Sequence, residues 1–151
     1  DGTCLTITKI QNNLVFFYIS KETLRRTNFA HVTSGSLINI EKSISYGAKV
    51  SGHYVQGHVD TTAKVLKIVT SNKSWVVFFK ISKIYQKLLI EKGSISVNGV
   101  SLTISQFKKN IFQISVIPHT LKLTNLINLK KNNIVNIEFD IFGKYLLKLK
   151  N

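Results

Sequence analysis

At 151 residues the chain has room for one large domain or one and a half small ones, and its 44% hydrophobic content is enough for a packed core. A single proline leaves little room for a disordered linker, and nothing resembles a secretory leader. No apolar run reaches the roughly 18 residues that cross a bilayer, so no membrane role is expected. The net charge of +14 is almost all lysine, scattered along the chain, with Arg25 and Arg26 the only arginines. That pattern argues against a built nucleic-acid surface, where guanidinium groups make the bidentate contacts. The only cysteine is Cys4, which excludes a disulfide within the chain and suits a reducing, cytoplasmic setting.

In chain order, short runs rich in β-branched and aromatic residues predict strands over 5–8, 14–19, 63–69, 75–81, 101–105 and 111–117. Asn12-Asn13 and Lys109-Asn110 lie between paired runs and read as hairpin turns. Short helical turns are expected over 22–27 and 84–90. The tail, 141–150, carries Ile141, Tyr145 and Leu149 at helical spacing. Phe16, Phe17, Phe78 and Phe79 sit in apolar runs that read as core. Strands at this density with few long helices predict small closed barrels.

An internal repeat organises the chain. Residues 2–41 align with 99–138 at a constant offset of 97, without a gap. Gly2, Leu5, Thr6 and Ile7 match Gly99, Leu102, Thr103 and Ile104, and Asn13 matches Asn110. Thr23-Leu24 and Thr27-Asn28 match Thr120-Leu121 and Thr124-Asn125, and Asn39-Ile40-Glu41 matches Asn136-Ile137-Glu138. The second unit includes a stretch, about 50–98, that has no counterpart ahead of Asp1. The expected organisation is therefore the second half of a first barrel over 1–48, a complete barrel over 49–140, and a C-terminal helix over 141–151.

Two segments carry candidate chemistry. Residues 52–60 hold His53, His58 and Asp60. Read as a strand, this segment turns His53 and His58 to opposite faces and leaves only His58 and Asp60 together, too few ligands for zinc. No metal is expected. The repeated segments Cys4-Leu5-Thr6 and Ser101-Leu102-Thr103 each put a small polar or nucleophilic group and a threonine on one strand face, with leucine towards the core. The preceding glycine lets a ligand approach the backbone. Recurrence at the same phase implies two similar binding sites, and the differences, Cys4 against Ser101 and Glu22 against His119, imply divided roles.

These segments resemble riboflavin synthase. The resemblance runs through Gly-x-Cys-Leu-Thr at 2–6, Lys-Glu-Thr-Leu-x-x-Thr-Asn at 21–28 and Gly-His-x-x-x-Gly-His-Val-Asp at 52–60. It continues through Lys-Gly-Ser-Ile-x-Val-x-Gly-x-Ser-Leu-Thr at 92–103 and Ile-Pro-His-Thr-Leu at 117–121. It implies an all-β fold of tandem six-stranded Greek-key barrels, the first incomplete here, with short helices and a C-terminal helix. It implies a transferase that dismutates two molecules of 6,7-dimethyl-8-ribityllumazine. One donates a four-carbon unit to the other, giving riboflavin and 5-amino-6-(D-ribitylamino)uracil, with no cofactor.

Carried over residue by residue, the first pocket comprises Cys4, Leu5, Thr6, Tyr18, Ile19, Ser20, Lys21, Glu22, Thr23, Gly57, His58 and Val59. The second comprises Lys92, Ser101, Leu102, Thr103, Val116, Ile117, Pro118, His119 and Thr120. His58, Cys4, Ser101, Thr103 and Asp140 are the catalytic candidates. The resemblance also implies a homotrimer that pairs the first barrel of one subunit with the second of its neighbour, and an association with lumazine synthase. The alternative is a non-catalytic lumazine- or flavin-binding protein of the same fold.

Overall fold

The computed structural model describes residues 1–71 and 74–150. The chain opens with a hairpin of β1 (Ile7–Gln11) and β2 (Leu14–Phe17). Asn12 and Asn13 turn it in the left-handed region, φ 49° and 62°, which asparagine tolerates better than most residues. Helix α1 (Lys21–Arg26) follows, capped by Ser20 Oγ accepting the Thr23 N–H at 3.1 Å. A 3₁₀ turn, Asn28–His31, comes next.

The second unit is a closed six-stranded barrel in the order β3 (Thr61–Ser71), β4 (Ser74–Lys80), β7 (Ile111–Val116), β6 (Val100–Lys108), β5 (Ser94–Val97), β8 (Ile134–Phe139). All neighbouring strands are antiparallel. Alternation along β4 and β7 sends Val77, Phe79, Phe112, Ile114 and Val116 inward, where all are nearly inaccessible. Phe79 and Phe112, partners across β4 and β7, stack with ring centroids 5.1 Å apart. Helix α2 (Pro118–Leu123) starts with proline in its first turn. Helix α3 (Ile141–Leu149) is capped by Asp140, and Lys144 ties it to the barrel through the Asp60 carboxylate at 3.0 Å. Among the described residues no helix is long and apolar enough to cross a membrane.

The repeat is reproduced in three dimensions. Helix α1 and its 3₁₀ turn match α2 and the 3₁₀ turn Asn125–Asn128 residue for residue at the offset of 97. The β1–β2 register, Ile7↔Phe17 then Lys9↔Phe16 with a bulge between, is repeated as Ile104↔Ile114 then Gln106↔Gln113 with the same bulge. Even the Thr8 hydroxyl bond to the Phe16 carbonyl recurs as Ser105 to Gln113.

The two copies differ in cover. Val15 and Phe17 are 43% and 37% exposed, whereas their counterparts Phe112 and Ile114 are 1% and 0%. β1 and β2 pair only with each other among the described residues, so Phe16 and Phe17 are not core as the apolar run predicts. Two further expectations change. Strand β1 begins at Ile7, not at Leu5, and the turn predicted over 84–90 is a 3₁₀ helix, Lys83–Leu88.

Candidate ligand-binding half-sites

The segment 52–60 is not a strand. Gly52 and Gly57 both adopt positive φ, 88° and 76°, so the two-residue alternation that separated His53 from His58 does not apply. The segment instead runs as an open strap across both units.

At the first unit, the Cys4 N–H donates to the Gly57 carbonyl at 2.8 Å. A β-carbon on Gly57 would lie 2.6 Å from the Cys4 nitrogen, so only glycine permits this approach. The strap is gripped from the other side by Glu138, a buried β8 residue. Its carboxylate accepts the backbone N–H groups of Gln56 at 2.8 Å and Gly57 at 2.9 Å. A carboxylate with two charge-assisted acceptor bonds is a firm anchor. Cys4, Thr6 and His58 are exposed around this point, and Tyr18 is 79% exposed. Ser20 and Thr23 are bonded to each other in the α1 cap, and Glu22 is engaged by Arg25 and Arg26. Those two guanidinium groups hold the exposed Glu22 carboxyl down at about 2.

At the second unit, Ser101, Leu102 and Thr103 lie on β6, Thr103 opposite Ser94 of β5. Lys92, at φ 64°, stands in a turn clamped to the same strand. Its N–H donates to the Ile104 carbonyl, and the Ile104 N–H donates back to Gly93, both at 2.9 Å. Strand β7 pairs antiparallel with β6, so its end at Val116, the helix cap Ile117, and Pro118, His119 and Thr120 fall at the barrel end where Ser101 lies. The first unit has the same layout, with Leu5 and Thr6 before β1 and 18–23 after β2. Asp140 caps α3 by accepting the Phe142 N–H at 3.0 Å.

Between the two units lies a set of reciprocal contacts. A β-carbon on Gly2 would lie 2.5 Å from Gly99 N, and one on Gly99 would lie 2.7 Å from Gly2 N. The Asn39 side-chain amide donates to the Asn98 carbonyl at 2.9 Å, and Asn136 donates to the Asp1 carbonyl at 2.8 Å. Asn28 N–H donates to Asn136 Oδ1 at 2.6 Å, and Asn125 N–H to Asn39 Oδ1 at 2.7 Å. Asn39 N–H donates to Asp1 Oδ1 at 2.9 Å, and Asn136 N–H to Asn98 Oδ1 at 2.8 Å. Each bond is its partner's counterpart at the offset of 97, the signature of two like units facing one another about a local two-fold.

The profile of the lumazine binding domain family matches residues 1–43 and 56–140. Riboflavin synthase of Actinobacillus pleuropneumoniae is 38% identical over 146 residues, covering 97% of this chain and 68% of that protein. Riboflavin synthase of Escherichia coli is 38% identical over 141 residues, covering 93% and 66%. The chain belongs to the riboflavin synthase family. Among solved structures, LumP complexed with 6,7-dimethyl-8-(1'-D-ribityl) lumazine matches with a TM-score of 0.82 at 28% identity, covering 91% of this chain and 73% of LumP. LumP complexed with riboflavin matches with a TM-score of 0.85 at 27% identity.

Three features of the site are not announced by the sequence pattern. Glu138 was visible only as half of the matched pair Glu41 and Glu138. The asparagines 28, 39, 125 and 136 were likewise visible as repeat matches, without a role. His53 is set aside by the strand reading, yet its Nδ1 lies 2.8 Å from Ser101 Oγ. Among the described residues no three His, Cys, Asp or Glu side chains converge as a metal-ligating set.

Proposed function

We propose that this chain catalyses the riboflavin synthase reaction, a group transfer between two molecules of 6,7-dimethyl-8-ribityllumazine. The observation that carries this reading is the duplicated half-site, Cys4 to Thr6 and Ser101 to Thr103, built on units that match in register, bulge and capping helix. A reaction between two identical molecules calls for two like pockets.

The heteroaromatic ring acidifies the methyl group at C7 of one lumazine. Loss of that proton gives a carbanion that attacks the second ring, and a four-carbon unit passes between them. The products are riboflavin and 5-amino-6-(D-ribitylamino)uracil, which together account for every atom of the two substrates. The protein holds the rings in register, which can lower a barrier by roughly 7–11 kcal/mol, and assists proton transfers, worth about 10²–10⁴-fold. His58, which stands exposed next to Gly57 where the strap meets Cys4, carries the proton. Cys4 and Ser101 polarise or add to the ring, with Thr103 and Asp140 supporting the second pocket. The remaining contacts are Leu5, Thr6, Ile19, Lys21, Val59, Lys92 and Leu102, with those on the loops entering α1 and α2.

The working pair forms between the first unit of one subunit and the second unit of its neighbour in a homotrimer. Helix α3 presents Phe142, Tyr145, Leu146 and Leu149, all more than 60% exposed, for that contact. The same reading includes association with lumazine synthase and a cytoplasmic setting. Incubating the chain with the lumazine and following riboflavin by chromatography and fluorescence tests it. Riboflavin formation that falls on replacing Ser101 or Cys4 is the expected result. Lumazine binding without product would support the non-catalytic binding protein of this fold.

A further inference from the structure

Resting on that reading of the Ser101 pocket, we infer that His53 is a positioning residue that aims the Ser101 hydroxyl at the bound ring. The turn that carries His53 is seated directly on Ser101. Gly52, at φ 88°, comes so close that a β-carbon there would lie 2.3 Å from Ser101 Oγ and 2.8 Å from its Cβ. His53 Nδ1 then stands 2.8 Å from the same oxygen. No other hydrogen bond reaches Ser101 Oγ among the described residues.

The far side of the ring decides which atom donates. Nε2 of His53 is buried and has no partner among the described residues. A neutral imidazole has one N–H and one bare nitrogen. A buried N–H without an acceptor is rarer than a buried acceptor without a donor. The favoured tautomer therefore carries its proton on Nδ1 and donates to Ser101 Oγ, leaving the bare nitrogen at Nε2. With its lone pair so occupied, the Ser101 O–H turns away from His53 and is free to donate into the pocket. Burial keeps the ring neutral, lowering its pKa below the ordinary histidine value against the opposing pull of Asp140 and Glu138. The role is orientation: His53 fixes which way Ser101 points, and no proton leaves it.

Two side chains separate this from simple packing. Asparagine places an amide nitrogen where Nδ1 stands, and glutamine places one nearer to Nε2. The expected result is that His53→Asn keeps most of the turnover of lumazine to riboflavin, while His53→Gln and His53→Phe lose about 10–100-fold in kcat with little change in KM. His53→Phe combined with Ser101→Ala should be no slower than Ser101→Ala alone. Nitrogen-15 NMR of the full chain should find His53 protonated at Nδ1, with that resonance moving in Ser101→Ala. Equal losses in His53→Asn and His53→Phe, full turnover in His53→Phe, or a proton on Nε2 would each overturn the assignment. If the unaltered chain makes no riboflavin, the proposed reaction fails, and the NMR result alone then decides whether His53 donates to Ser101.

Discussion

Replacing Gly57 by alanine probes the joint between the strap and the Cys4 half-site. Gly57 has φ 76°, where an L-residue is strained by roughly 1–2 kcal/mol. The added β-carbon would lie 2.6 Å from Cys4 N and 2.9 Å from Cys4 Cβ, so the strap and the Cys4 segment must separate by several tenths of an ångström. That separation disrupts the 2.8 Å bond from Cys4 N–H to the Gly57 carbonyl, a further loss of about 0.5–1.5 kcal/mol. The sum, about 1.5–3.5 kcal/mol, corresponds to a melting temperature lower by roughly 3–14 °C for a chain of this size. Gly143, in the exposed helix α3 with nothing within 4 Å of a β-carbon, supplies the control. There alanine should stabilise by about 0.5–1 kcal/mol. Thermal unfolding and hydrogen exchange at the Cys4 amide measure both effects. A Gly57→Ala variant with an unchanged melting temperature and a Cys4 amide as protected as before would refute this account of the joint.

Three other outcomes follow from the same contacts. Asn136→Ala strips the partners of the Asn28 N–H and the Asp1 carbonyl at about 1–3 kcal/mol each, so residues 1–40 should lose exchange protection while the barrel β3–β8 keeps its own. Glu138→Gln presents an amide where a carboxylate accepts two N–H groups; one of them is left facing a donor, and NMR should find residues 56–58 loosened at an unchanged barrel. The Glu22 carboxyl, held near 2 first by the Arg25 bond and then by Arg26, should titrate well below an ordinary glutamate. Because its folded pKa is lowered, its contribution to stability is complete above the ordinary value of about 4.5 and fades as pH falls through about 2, and Glu22→Gln should remove that dependence.

Much of the fold was readable from residue order because the repeat tolerates no gap: helix, 3₁₀ turn, hairpin and bulge all recur at one offset. Strand β8 carries a strand signal, Val135, Ile137 and Phe139 alternating with Asn136 and Glu138, but the face the pattern marks as wet is buried too, Glu138 gripping the strap and Asn136 joining the asparagine set. Strand β5 escaped although Asn98-Gly99 after it is a strong hairpin signal, now seen with φ 48° and 82°. Of the candidate site, Cys4, Gly57 and Glu138 come together through backbone approaches that no pattern of side-chain polarity announces, and Asn136 joins the two units through a buried amide. His53 was hidden because two positive-φ glycines break the period on which its exclusion depended.

The reaction of one lumazine with another across two like half-sites has a fixed stoichiometry. The most direct measurement incubates the chain with 6,7-dimethyl-8-ribityllumazine and quantifies both products. Riboflavin and 5-amino-6-(D-ribitylamino)uracil should form in equal amounts, with two lumazines consumed for each pair. Substrate bound and recovered unchanged, or riboflavin without its pyrimidine partner, would contradict that reaction.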